Sequence, residues 1–265
     1  MDPKIPRPRK GGRKLAALFF FSAVAAAGFA QSTTNPVFAA RAEKAFRLAQ
    51  IQFASATNDS AAWQFARATF DFADFATNET ERAATAKQGI AACQELLARD
   101  TNSAPGHYYL AMNYGQLARA EAPSFAAYRL VRQMEREFKA AADLDPSFDY
   151  AGPARCLGLL YRDAPGWPFS IGSRRKAREW LEQAAKLAPD YPENRLNLAE
   201  SFLQWHESVN AKSELKTLET LWPDARKKFA GESWEQSWDD WSRRRDDARK
   251  KLTETSSPAK SPGER

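Results

Sequence analysis

The 265-residue chain has only two cysteines, two histidines and three methionines. His107 and His206 stand outside any His-Glu-x-x-His or comparable arrangement, so neither a metal centre nor a cofactor is expected. Gly-x-Ser-x-Gly, a Walker loop and a strand-led Gly-x-Gly-x-x-Gly are all missing, and no trio of side chains stands out as a catalytic unit. Binding, not catalysis, is therefore the expected function. A cell-wall or lipid-acting hydrolase with paired carboxylates is the enzymatic alternative, since helices supply many acids. After residue 30 there is no apolar run long enough to span a bilayer. No cysteine follows the first such run, which argues against a lipoprotein anchor, and no consecutive arginine pair precedes it, which points to general secretion.

What is present begins with Lys4, Arg7, Arg9, Lys10, Arg13 and Lys14 ahead of the apolar stretch from Leu15 to Gly28-Phe29-Ala30. Residues 1–30 read as a secretory signal peptide cleaved after Ala30, with an uncleaved anchor as the alternative. The expected product is periplasmic and soluble, without a stable membrane anchor. The signal carries six bases and one acid, so the net charge of +6 falls to +1 once it is removed, and the basicity implies no nucleic-acid partner. Export permits a disulfide between Cys93 and Cys156, but both fall on apolar helix faces in non-adjacent segments, and two small core thiols are expected.

Three signatures recur along the chain: Leu110-Ala111-Tyr114, Leu157-Gly158-Tyr161 and Leu198-Ala199-Phe202. Each places a large apolar residue, a small neighbour and an aromatic on one helix face. Behind them follow Phe138, Ala141, Leu144 and Pro146; Ala177, Leu181, Ala184, Leu187 and Pro189; and Ala211, Leu215, Leu218, Leu221 and Pro223. Pro189 and Pro223 lie 34 residues apart. Small residues such as Gly158 let one helix approach another, Leu181 and Leu215 fill the space beside them, and the proline is expected to stop the second helix. One helix pair cannot cover its own apolar face, so neighbouring pairs must stack.

The pattern resembles the tetratricopeptide family, whose first helix carries Leu-Gly with a downstream aromatic and whose second carries spaced Ala, bulky and Pro positions. The expected fold is an all-α solenoid of about four such pairs. It divides into an N-terminal helix (31–58), repeats (59–223), a tryptophan-rich capping helix (224–252) and a disordered tail (253–265). The segment from Gly158-Leu159-Leu160-Tyr161 to Leu181-Glu182-Gln183-Ala184-Ala185-Lys186-Leu187-Ala188-Pro189 more loosely resembles the T-component proteins of TRAP transporters. That resemblance implies an exported adaptor that docks a periplasmic solute-binding protein.

In tetratricopeptide proteins the first helices line a concave groove. Carried onto this register, the resemblance assigns Tyr108, Met112, Gln116, Arg155, Leu159, Arg162, Leu196, Glu200 and Gln204 to the groove. Arg155 and Arg162, two turns apart on one face, then point to a carboxylate-bearing ligand or chain terminus. Residues 163–173 insert prolines and glycines around Trp167 and Phe169, which are costly to leave in water. This loop is expected to pack down, either as a cap between helices or as a lid over a bound small ligand, the latter making the chain a carrier.

Overall fold

The computed structural model describes residues 35–56 and 58–256; the signal segment and residues 257–265 of the tail lie outside the described residues. Among the described residues ten α-helices follow one another: α1 (Pro36–Ser55), α2 (Asp59–Ala73), α3 (Glu79–Arg99), α4 (Ala104–Ala120), α5 (Phe125–Leu144), α6 (Phe148–Asp163), α7 (Arg174–Leu187), α8 (Pro192–Gln204), α9 (Ser208–Lys228) and α10 (Glu235–Ser256). Their starts are written in the sequence. Asn35, Asn58, Asn78, Ser103, Ser124 and Ser173 each accept a hydrogen bond from an amide of the first turn, satisfying a donor that the helix itself leaves open.

The helices pair as α2–α3, α4–α5, α6–α7 and α8–α9, and α2, α4, α6, α8 and α10 pack one against the next as an inner row. The inner helices run parallel. Asn113 in the middle of α4 meets Ala66 in the middle of α2, Tyr108 near the start of α4 meets Asp149 at the start of α6, and Arg162 near the end of α6 meets Ser201 near the end of α8. The chain is thus an all-α solenoid of tetratricopeptide-like helix pairs. Helix α1 covers α2 through stacked Phe46–Phe72 and Phe53–Phe65 rings.

All nine residues of the three recurring signatures are buried. At Gly158 an added Cβ would stand 2.5 Å from Leu181 Cγ and 3.0 Å from the Leu181 backbone nitrogen, so the helix crossing is too close for any side chain. Gly89 marks an equally close three-helix crossing, with a Cβ meeting Thr69 Oγ1 at 2.1 Å and Asn113 at 2.6 Å. Both cysteines are free; Cys93 is buried, and Cys156 is half-buried with its thiol directed at Met112 Sδ, 3.7 Å away.

Two boundaries differ from expectation. Helix α9 passes through Pro223 and continues to Lys228. The added turn buries Ala225 and brings Phe229 against Tyr191, Trp234 and Trp241. This packing offsets the roughly 3 kcal/mol that an interior proline costs a helix. At the other end α10 includes Thr253 to Ser256, which composition had assigned to the tail. Trp238, Trp241 and Ala248 are buried, and the Trp238 indole donates to the Phe229 carbonyl at 2.6 Å.

Candidate functional site

The inner row owes its surface to how its arginines are used. At the start of α6, Asp149, Tyr150 and Ala151 all adopt the left-handed conformation, with φ of 49°, 56° and 63°. Three consecutive non-glycine residues there are strained and persist only if neighbours hold them. Arg155 does so: its guanidinium donates to the Asp149 and Tyr150 carbonyls at 3.3 and 3.1 Å, to the Asp149 carboxylate at 3.0 Å and to Asn194 Oδ1 at 3.3 Å. From α8 the Asn194 amide donates to the carbonyls of Tyr150, Ala184 and Ala188. The Tyr108 hydroxyl adds a bond to Asp149 at 2.9 Å, and Arg155 lies over the Tyr191 ring.

The other expected groove residues share this inward orientation. Arg162 forms a forked pair with Asp163 at 2.7 and 2.9 Å and donates to Ser201. Gln116 accepts from Arg82 and donates to Asp74 and the Phe70 carbonyl. Tyr108, Met112, Gln116, Arg155 and Leu196 are buried, Leu159 is half-buried, and only Glu200 and Gln204 at the α8 end reach solvent appreciably. The stripe taken as groove lining is the seam along which parallel inner helices touch. An open pair of arginines waiting for a carboxylate is therefore corrected: both guanidinium groups are engaged inside the protein.

What faces solvent instead is mostly acidic, with Arg67 standing open beside Asp71 as the exception. The side chains of Asp71, Asp74, Asp149, Glu193, Glu200 and Asp240 keep 23–50% of their surface accessible, against 2–9% for Arg82, Arg155, Arg162 and Arg244. Arg244 of α10 completes the row, making a forked pair with Glu200 at 2.8 and 2.7 Å and donating to Asn197 and Asp240. Toward the N-terminal end Arg67 stands 3.7 Å from Asp71 and Arg119 3.1 Å from Asp74.

Asp71 keeps half its surface open and stands near enough to Asp74 and Asp149 to feel their charge. Burial pushes its carboxyl up to about 6; the charges of Asp74 and Asp149 add to the rise and Arg67 opposes it. Burial likewise raises Asp74, against the lowering by Gln116 and Arg119. Converging carboxylates that repel one another gain most from a cation placed between them. An aromatic wall flanks them: Trp63 stacks on Tyr109, and Phe148 packs edge-on against Trp63, Tyr108 and Tyr109. Among the described residues no group of His, Cys, Asp and Glu has the arrangement of a metal site.

Sequence reasoning missed Arg67, Asp71 and Asp74, although their spacings of four and three residues place them on one face of α2. It also missed Asp149 and Arg244, whose roles arise from partners far along the chain.

No family model matches the chain, and no curated protein matches it. A solved structure of a thermophilic TPR protein from Thermus thermophilus is similar at 21% identity with a TM-score of 0.47, covering 71% of this chain and 96% of that one.

Proposed function

We propose that the chain is an exported binding scaffold whose inner row docks a partner protein through that partner's basic side chains. The reading rests on one observation: the carboxylates of the row stand toward solvent while most of its arginines lie behind them, bonded to backbone and acids. A lysine or arginine entering the row replaces acid–acid repulsion with charge-assisted hydrogen bonds. The basic and apolar segment of residues 1–30 supports a periplasmic location. The partner class suggested by the T-component resemblance is a solute-binding protein, and the acidic row requires of it a basic surface patch.

Calorimetry with a lysine- and arginine-rich peptide, and with an acidic peptide as control, tests the sign of the site. Binding of the basic peptide alone, weakened by salt and by Asp71→Asn, is expected. Preference for the acidic peptide would overturn the proposal. The aromatic wall of Trp63, Tyr109 and Phe148 beside Asp71 and Asp149 favours a second reading, a carrier of small organic cations. Saturable binding of a quaternary amine without peptide binding would select it.

A further inference from the structure

Because the inner helices run parallel, the turns that lead from each inner helix to its partner share one edge of the stack. On this edge Phe125 follows the α4–α5 turn, Trp167 and Phe169 sit in the α6–α7 loop, and Val209 follows the α8–α9 turn. These four residues are 90%, 89%, 74% and 84% exposed. Neighbouring turns are tied together along the edge: Arg174 and Arg178 of α7 both bond Glu207 after α8 and both lie over the Trp205 ring.

The α6–α7 loop does not pack down as expected. Its neck is closed by the Gly172 amide donating to the Pro165 carbonyl at 2.9 Å and by Phe169 and Ser170 amides donating to the Gly166 carbonyl. At Gly172 a Cβ would collide with the Ala164 carbonyl at 2.0 Å, so the neck closes only around glycine. Ser170 is buried and Ile171 half-buried beneath it. Trp167 and Phe169 are thereby carried outward on a short, braced projection.

A single exposed apolar residue means little. The opposite edge supplies the contrast: its turns expose Thr101 and Asn102, Pro146 and Ser147, and Pro189 and Asp190. The most exposed apolar tips thus lie on one edge, at 74–90%, whereas Leu144 and Leu187 on the opposite edge reach only 40% and 41%. Around the turns that carry these tips, segments 119–132, 162–178 and 205–212 hold eight arginines and lysines besides the interior Arg162, against three acids, while the α2–α3 turn of the same edge carries Asp74, Glu79 and Glu81 against Arg82.

We propose that this edge is a membrane-contacting surface that seats the solenoid on an anionic lipid bilayer. Aromatic and aliphatic tips carried on separate turns suit a fluid interface, into which each can sink on its own, whereas a protein partner would need a matching pocket for each. The surrounding bases match anionic headgroups, and apolar burial and charge attraction act together.

Flotation of the full chain with phosphatidylglycerol-containing vesicles, and with phosphatidylcholine vesicles as control, tests the proposal. Binding is expected with the anionic vesicles and is expected to fall about tenfold or more when Phe125, Trp167, Phe169 and Val209 are all replaced by serine. An unchanged circular-dichroism melt shows that the variant remains folded. Residues 1–30 are common to all variants, so a second readout isolates the edge. An environment-sensitive dye at Phe169→Cys, in a Cys93→Ala, Cys156→Ala background, is expected to shift to the blue on anionic vesicles, while the same dye at Asn102→Cys on the opposite edge does not. A wild-type chain that ignores the vesicles, equal binding by the serine variant, or a dye at 169 that stays water-like on bound protein would each overturn the proposal. Dimerisation that is lost in the serine variant, without vesicle binding, would assign the edge to a second copy instead.

Discussion

Along the inner row the acids Asp71, Asp149, Glu193 and Glu200 face outward while Arg155, Arg162 and Arg244 lie behind them. Along the turn edge the arrangement is reversed: bases and aromatic tips face outward, and Glu207 serves to hold Arg174 and Arg178 in place. A chain whose net charge beyond residue 30 is only +1 therefore carries two surfaces of opposite character. Net charge describes neither. An arginine inside the row acts as backbone support, and an arginine on the edge acts as surface charge; the difference is what else each guanidinium can reach.

The largest effect on this comparison should come from Arg155→Ala. Removing the guanidinium leaves the Asp149 carboxylate, two carbonyls and three left-handed residues without their support, and a loss of about 3 to 5 kcal/mol is expected in chemical denaturation. If stability were unchanged, Arg155 would be a surface group after all and the inner row would regain an open cation. Next comes Gly158→Leu, which forces a side chain into the Leu181 contact and is expected to cost on the order of 3 kcal/mol or more in the same measurement.

A smaller and more specific effect concerns pH. With its folded-state value raised to about 6 from the usual 3.8, Asp71 binds its proton more tightly in the folded protein. Its contribution to stability is therefore present at low pH and declines as pH rises across that interval. Asp71→Asn should accordingly be more stable than wild type at neutral pH. Binding runs the other way, because only the ionised carboxylate attracts a cation: affinity for a basic peptide should rise as pH increases through about 6, and Asp71→Asn should flatten that dependence. At about pH 5 and about pH 7, two conditions spanning the ionisation, chemical denaturation checks the stability statement and titration calorimetry the binding statement. The smallest effect is predicted for the fold itself when the edge is altered. Replacing the four exposed tips by serine should move stability by no more than about 0.5 kcal/mol at each site, in contrast to Arg155→Ala.

Helix pairs, their caps and their close crossings were legible because each depends on spacing within a short stretch. Gly158 and Leu181 were readable as contact partners, since a repeat dictates which positions meet. Pro223 was not readable as an interior residue, because the burial of Phe229 against Tyr191 and Trp241 that carries α9 onward lies outside the repeat. On α4 and α6 the expected stripe is covered by neighbouring helices, whereas on α8 Glu200 and Gln204 remain reachable.

The sequence by itself determined that this is an all-α stack of helix pairs, where most helices begin, and which small residues must lie at crossings, because periodicity and capping are local consequences of helix geometry. Only the tertiary structure decided that Arg155 and Arg162 are interior supports, that Asp71 feels the charge of Asp149, and that Trp167 projects outward. Those outcomes depend on partners such as Asn194, Ser201 and Gly172 that a fold brings together, and on whether a side chain's polar atoms find enough of them to leave water.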